Sequence, residues 1–257
     1  MNLLEIIYTM PERLLDFIFI RLLYGFTVVM SIEFLIIVLV DYISSQLMKD
    51  KKIVKLELDH KTRWFLLHSI INIIVVYYIW DEFWYGMFNL MEMYNKLTNN
   101  NAYGVMIALH IYHMIAFPVS NEDIFHHVWF AIGGALLTVA IQPYIATSMA
   151  LITLNGVPGA IDYALLVLVR IGIIDKIVEK RVNGKLNLWF RMSFSVFMSG
   201  CAFCSLLHYQ QYICLPCLGI ILYNSIYYGN QAILNAYKHE LMLKEKNVDS
   251  DSDISEF

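Results

Sequence analysis

Charged side chains are scarce in this 257-residue chain: Asp, Glu, Lys and Arg make up 16% of it, against 59% hydrophobic residues. A soluble domain carries nearer a quarter charged and half apolar. The chain therefore lacks the polar surface that a water-soluble fold of this size needs. That shortage excludes an ordinary cytosolic enzyme, a disulfide-stapled secreted scaffold and a disordered chain. Positive charge is not concentrated either. The formal net charge is −4, and no basic patch or stripe stands out, so the electrostatic footprint of a nucleic-acid-binding protein is missing. No internal repeat is visible. A cleavable signal is not expected either: the first residues carry Glu5, Glu12 and Arg13, and no basic n-region precedes a small-residue cleavage site.

What the chain has in abundance is apolar sequence, with a mean hydropathy of +0.57, and the bilayer is the solvent that accommodates it. A helix crosses the hydrocarbon core in about 20 residues. Seven stretches of roughly that kind are predicted, near Leu22–Val40, Trp64–Trp80, Gly104–Phe117, Phe125–Ile141, Ile145–Val169, Leu188–Leu207 and Cys214–Ala236. The third and fourth are short and separated only by Pro118–Asp123, so a hairpin or re-entrant pair is an alternative there. The expected fold class is all-α, a polytopic helical bundle. Residues 1–20 read as an amphipathic segment lying in the interface and broken at Pro11. Residues 21–240 form the bundle, and 241–257, acidic and without hydrophobic pattern, are expected to be a disordered cytosolic tail.

The basic residues orient these spans. Of the 18 Lys and Arg, 15 fall between spans one and two, between spans five and six together with the helix-end residue Arg191, or in the tail; Arg13, Arg21 and Lys96 are the others. With seven spans all 15 lie on one side, which the positive-inside rule makes cytosolic. The N-terminus is then outside and the C-terminus inside. On the outer side, Asp81–Tyr103 carries Trp84, Tyr85 and Tyr94 around an Asn-rich stretch, the composition of an interfacial aromatic belt and a loop.

Ionisable side chains inside a span cost several kcal/mol and mark candidate functional sites. Here they are Glu33, His68, His110, His113, His126, His127 and Asp162. Glu33 and Asp162 each stand eight residues from the cytosolic end of their span, about 12 Å deep at 1.5 Å per residue, and the histidines fall in the same half of the membrane. His110 and His113, three apart, share a helix face. His126 and His127 are about 100° apart on a regular helix, so one can point into the bundle while the other turns to a neighbouring helix or to headgroups. His110, His113, His126 and His127 with carboxylates make a donor set for a divalent metal such as zinc. They equally make an acid–base set, because imidazole titrates near neutrality. Simple satisfaction of buried hydrogen bonds is the third reading. The three boxes and about eight histidines of membrane di-iron hydroxylases and desaturases are not met, which sets that chemistry aside.

Span five carries Asn155-Gly-Val-Pro158-Gly-Ala-Ile-Asp162-Tyr163. A mid-span proline frees backbone groups that need partners in protein or around a cavity; a packing kink and a ligand-binding break both fit. Cys201-x-x-Cys204 and Cys214-x-x-Cys217 flank a short outer loop. Disulfides, a thiolate metal site and buried free thiols are all compatible with that spacing.

Asp123-Ile-Phe-His126-His127, an acidic residue followed within a turn by a His pair that opens a span, resembles the TLC (TRAM–LAG–CLN8) domain family over about Trp64–Tyr237. That resemblance implies a helical bundle around a lipid-accessible cavity with His126 and His127 at the reactive or binding position. The His-Asp and Ser-Asp string of the ceramide synthases has no counterpart here: Arg170-Ile-Gly-Ile-Ile-Asp175 lacks the histidine and the second aspartate. The non-synthase branch is the better match. The expectation is a multi-pass endomembrane protein, of the endoplasmic reticulum or a related compartment. It would bind or modify a membrane lipid, with His126 or His127 as base or ligand, His110 and His113 as partners and Asp162 as orienting carboxylate. Lipid acyltransferase-like chemistry and metal-dependent lipid hydrolysis are the enzymatic versions; membrane lipids and a second copy of the chain are the expected partners. Two other classes compete: an ion or proton transporter using Glu33, Asp162 and the broken span, and a structural or regulatory membrane protein without catalysis.

Overall fold

The computed structural model describes residues 34–46, 60–98, 101–141 and 144–254. Glu33, the segment 1–20 and Lys49, Lys51, Lys52 and Lys55 lie outside the described residues. Helices account for nearly all of the described chain, with no strand among them; a single antiparallel bridge joins Leu97 and Tyr144.

The helices are α1 (Phe34–Gln46), α2 (His60–Phe88), α3 (Asn101–Ala116), α4 (Asn121–Phe125, His126–Gly133 and Gly134–Ile141 in succession), α5 (Ile145–Arg170), α6 (Lys176–His208) and α7 (Leu215–Ile254). Among the described residues, α2, α5, α6 and the stretch Tyr212–Glu245 are long and apolar enough to cross a membrane. Of the remaining predicted spans, α3 has 16 residues, and α4 changes helix type along its length. Ile115, Trp129, Trp189 and Tyr77 are each 68–78% exposed. Large apolar side chains in such positions suit a lipid environment rather than water.

The α3–α4 hairpin follows from three residues. Pro118 cannot extend α3, and Ser120 starts α4 with a reciprocal cap: its amide and hydroxyl donate to Asp123 Oδ2 at 2.9 and 2.7 Å, and the Asp123 amide donates back to Ser120 Oγ at 3.1 Å. At the end of α5, Gly172 adopts φ +75°. The Gly172 and Ile173 amides then donate to Val169 and Leu168 carbonyls at 3.1 and 2.9 Å, closing the helix as a Schellman motif. The basic stretch from Lys176 is helical and continuous with Leu188–Leu207 in one helix.

α2 is the central helix. Leu67, Ile71, Val75 and Ile79 recur every fourth residue and are at most 1% exposed, the stripe expected of a buried helical face. α5 lies close against it. A Cβ added at Gly159 would sit 2.5 Å from Asn72 Nδ2, and one at Gly156 would sit 2.8 Å from Val76 Cγ2. These glycines let the two backbones approach, and Ser69 Oγ donates to the Ala160 carbonyl at 2.9 Å.

Within α5 the ladder widens to a π-helix over Ile152–Gly156. Pro158 has no N–H, which leaves the carbonyl four residues earlier, Leu154, without its helical donor. Arg191 of α6 fills that position: Nε donates to Leu154 O at 3.1 Å and Nη2 donates to the same oxygen. Arg191 itself lies in another π-helical turn, Asn187–Met192.

Two expectations are modified. Around the segment Asp81–Tyr103, Trp80 and Trp84 are exposed, but Met93 and Tyr94 are fully buried. The chain folds inward there because the Tyr94 amide bonds Ser205 Oγ at 3.0 Å and the Ser205 hydroxyl donates to Met91 O at 2.6 Å. In the tail, where composition predicts no regular structure, the α7 backbone stays helical to Ile254.

Candidate functional site

Five histidines from three helices meet where α2, α3 and α4 converge: His68, His110, His113, His126 and His127. Ring centroids are 4.8 Å apart for His110–His127, 4.6 Å for His113–His127 and 5.6 Å for His126–His127. His68 stands 5.8 Å from His113 and 6.1 Å from His110. Trp64, one helical turn before His68, lies against both His68 and His113. Tyr163 of α5 closes the other side, 4.6 Å from His68.

Local sequence explains the placement. His110 and His113 share the α3 face that turns toward α2. The π-helical stretch begins at His126, and its wider turn rotates successive side chains differently from an α-helix. Both members of the pair accordingly join the cluster. His127 is 5% exposed, while His126 reaches α7, its Nδ1 lying 2.9 Å from the Tyr228 hydroxyl.

The hydrogen bonds assign protons. Nδ1 of His110 lies 2.7 Å from the Met106 carbonyl, and Nδ1 of His68 lies 3.2 Å from the Trp64 carbonyl. A carbonyl only accepts, so both rings carry the proton on Nδ1 and leave Nε2 as a lone-pair donor. His113 Nδ1 and His127 Nε2 are 2.5 Å apart and share one proton between them. The remaining nitrogen of His127, Nδ1, is buried with no hydrogen-bond partner.

Beside the cluster is a cavity of about 90 Å³ walled by His110, His126, Tyr103, Thr138, Asn155 and Asn224 together with apolar Leu151 and Ile220. At about 30 Å³ per water this holds some three waters or a small polar group. His110, His126 and His127 each offer a nitrogen within 4.8 Å of the other two, the arrangement of donors that a metal ion would take up.

Of the residues expected from sequence, the structure brings His68, His110, His113, His126 and His127 together. Asp162 goes elsewhere. It is hydrogen-bonded to Glu179, with Lys180 and Arg191 as its other charged neighbours. Its Oδ1 is buried without a partner. Glu179 is fully buried and pairs with Lys180 Nζ at 3.0 Å. The carboxylate whose charge acts on His113 and His127 is Asp123. Burial would raise the Asp123 pKa, but the Ser120 hydroxyl and amide outweigh it and hold the carboxyl below its ordinary value. Trp64 and Tyr228 are not legible as site residues, since an aromatic in an apolar span carries no signal of its own; Tyr163 stands out in the sequence only as the neighbour of Asp162. The four cysteines form no disulfide; Cys214 and Cys217 are buried and Cys204 is exposed.

Searches of this chain against protein-family models, characterised proteins and solved structures find no match.

Proposed function

We propose that this chain is a seven-span membrane protein, N-terminus outside and C-terminus cytosolic. In this reading it binds a membrane lipid with the lipid's polar end against the histidine cluster, at a cavity open to the cytosolic leaflet. The observation that carries the reading is the convergence of five histidines from α2, α3 and α4 beside a small, partly polar cavity. Buried imidazoles at that density serve acid–base or ligand chemistry. The cavity admits a headgroup or an acyl carbonyl while the chains stay in the bilayer. The TLC-like Asp123-Ile-Phe-His126-His127 string supports the same choice. So does the bias of 15 of the 18 basic residues to one side, which with seven spans would set the cluster in the cytosolic half of the membrane.

His126 and His127 then act on the lipid as base or ligand, His110 and His113 as partners, and Asp123 supplies the nearby negative charge. The test is lipid co-purifying with the full chain in detergent, read by native mass spectrometry, alongside the lipid profile of expressing cells. His126→Ala with His127→Ala is expected to strip the bound lipid and return the profile to that of cells without the protein. Bound lipid and profile both equal to those of the unaltered chain would end this reading.

A second reading, an ion or proton path, is favoured by one separate observation: the buried group Asp162, Glu179 and Lys180 beside the broken α5. Cation- or proton-dependent flux in liposomes that Asp162→Asn abolishes is its signature.

A further inference from the structure

We propose that His110, His126 and His127 form a site for a divalent transition metal of the zinc class, its fourth coordination position opening on the cavity. The proposal deepens the reading of this cluster as a lipid site and is tested separately from it. The three residues are the ones whose nitrogens gather within 4.8 Å. Zinc–nitrogen bonds of about 2.0–2.1 Å bring tetrahedral ligands to roughly 3.4 Å from one another, a closure that side-chain rotation achieves.

The surroundings of each ring match those of metal-bound imidazoles, whose second nitrogen is normally tied to an outer partner that fixes the tautomer. His110 donates Nδ1–H to the Met106 carbonyl, which leaves Nε2 for the metal. His126 is held at Nδ1 by the Tyr228 hydroxyl. His127 is held at Nε2 by His113 Nδ1, so its ligating atom is Nδ1.

That atom is the second, independent pointer. His127 is 5% exposed and its Nδ1 has no partner. Leaving a buried nitrogen unsatisfied costs about 1–3 kcal/mol, and a bound cation removes that cost. The 2.5 Å separation of His113 Nδ1 and His127 Nε2 leaves no room for an ion between them. His113 is therefore an orienting partner and not a ligand. Three neutral imidazoles with one open position are the donor set of catalytic zinc sites. The cavity wall formed by His110 and His126 places the open position beside Thr138, Asn155 and Asn224.

The experiment uses the full chain purified in detergent, freed of metal by chelation and reloaded with Zn²⁺ alone, or with Co²⁺ for its visible spectrum. The unaltered chain is expected to take up about one equivalent and to unfold at higher temperature once loaded. His110→Gln with His127→Gln loses both the uptake and the thermal response. Tyr228→Phe, which keeps all three ligands, weakens binding about tenfold. His239→Gln, on the exposed face of α7, changes nothing. Equal uptake by the unaltered chain and by a monodisperse His110→Gln/His127→Gln variant would overturn the site. So would a folded unaltered chain that takes up no metal. Co-purified lipid is read in the same samples: its loss with metal uptake intact removes the lipid reading alone, and its persistence without metal uptake removes the metal site alone.

Discussion

Arg191 donates from two guanidinium nitrogens to the carbonyl of Leu154, the oxygen that Pro158 leaves without a helical partner. Nη1 of Arg191 also reaches Asn187 Oδ1 at 3.1 Å, and Ser225 of α7 donates to the Arg191 carbonyl at 2.7 Å. One side chain thus links the break in α5 to α6, and its backbone to α7. Removing it with Arg191→Met should lower stability by about 2 kcal/mol, the scale of a charge-assisted hydrogen bond lost to a buried acceptor. Pro158→Ala restores an N–H that Leu154 can accept. The double variant should therefore be less destabilised than the two single losses added together, as thermal unfolding in detergent would reveal. Strict additivity would show that Arg191 does not serve the oxygen that Pro158 frees.

The approach of α5 to α2 depends on Gly159 and Gly156. A Cβ at Gly159 meets buried Asn72, and one at Gly156 meets Val76. Gly159→Val should cost about 1–3 kcal/mol through overpacking. Gly200→Ala and Gly219→Ala, where an added Cβ has nothing within 4 Å, should be neutral or slightly stabilising because alanine favours helix. Comparable unfolding temperatures for Gly159→Val and Gly200→Ala would refute the close approach.

Asp41 is 2% exposed and accepts from Arg63 Nε at 2.6 Å, from Arg63 Nη2 and from the Tyr112 hydroxyl at 2.6 Å. These bonds tie α1 to α2 and α3. Arg63→Met leaves a buried carboxylate with one partner and should cost about 3 kcal/mol. Arg63→Met with Asp41→Leu removes both charges and should recover most of that loss. The unfolding temperature in detergent reports it: lowered in the single variant, largely restored in the double.

Asp123 gives a pH test whose sign is set by its lowered pKa. A carboxyl more acidic when folded stabilises the fold fully above its unfolded value of about 3.9, and that contribution fades as pH falls through the folded value. The gap in unfolding temperature between the unaltered chain and Asp123→Ala should thus be constant near neutrality and shrink at acid pH. A gap that widens on acidification would reverse the assigned direction.

Much of this arrangement is legible in the sequence because hydropathy acts locally. The apolar run that becomes α2, the stop at Pro118 and the proline break in α5 all express preferences of short segments, and the structure has a helix, a hairpin and a π-helical turn at those places. His110 and His113 on one face follow from helical spacing alone. The pairing of Asp162 with the histidines did not follow. Depth along a span says nothing about which neighbour a side chain meets around the helix, and Asp162 meets Glu179 of α6 while adjacent Tyr163 meets His68 of α2.

The sequence by itself determined that the chain needs an apolar solvent, where it is helical, and which few polar residues are costly enough to matter. Only the tertiary structure decided that five histidines share one site, that His113 pairs with His127, and that Arg191 serves the oxygen released by a proline in another helix. The physical reason is the range of the forces: burial and helix propensity are set within a few residues. The partners of a buried nitrogen or carbonyl are set by which helices pack together, and the glycines at 156 and 159 and the widened turn at His126 control that packing.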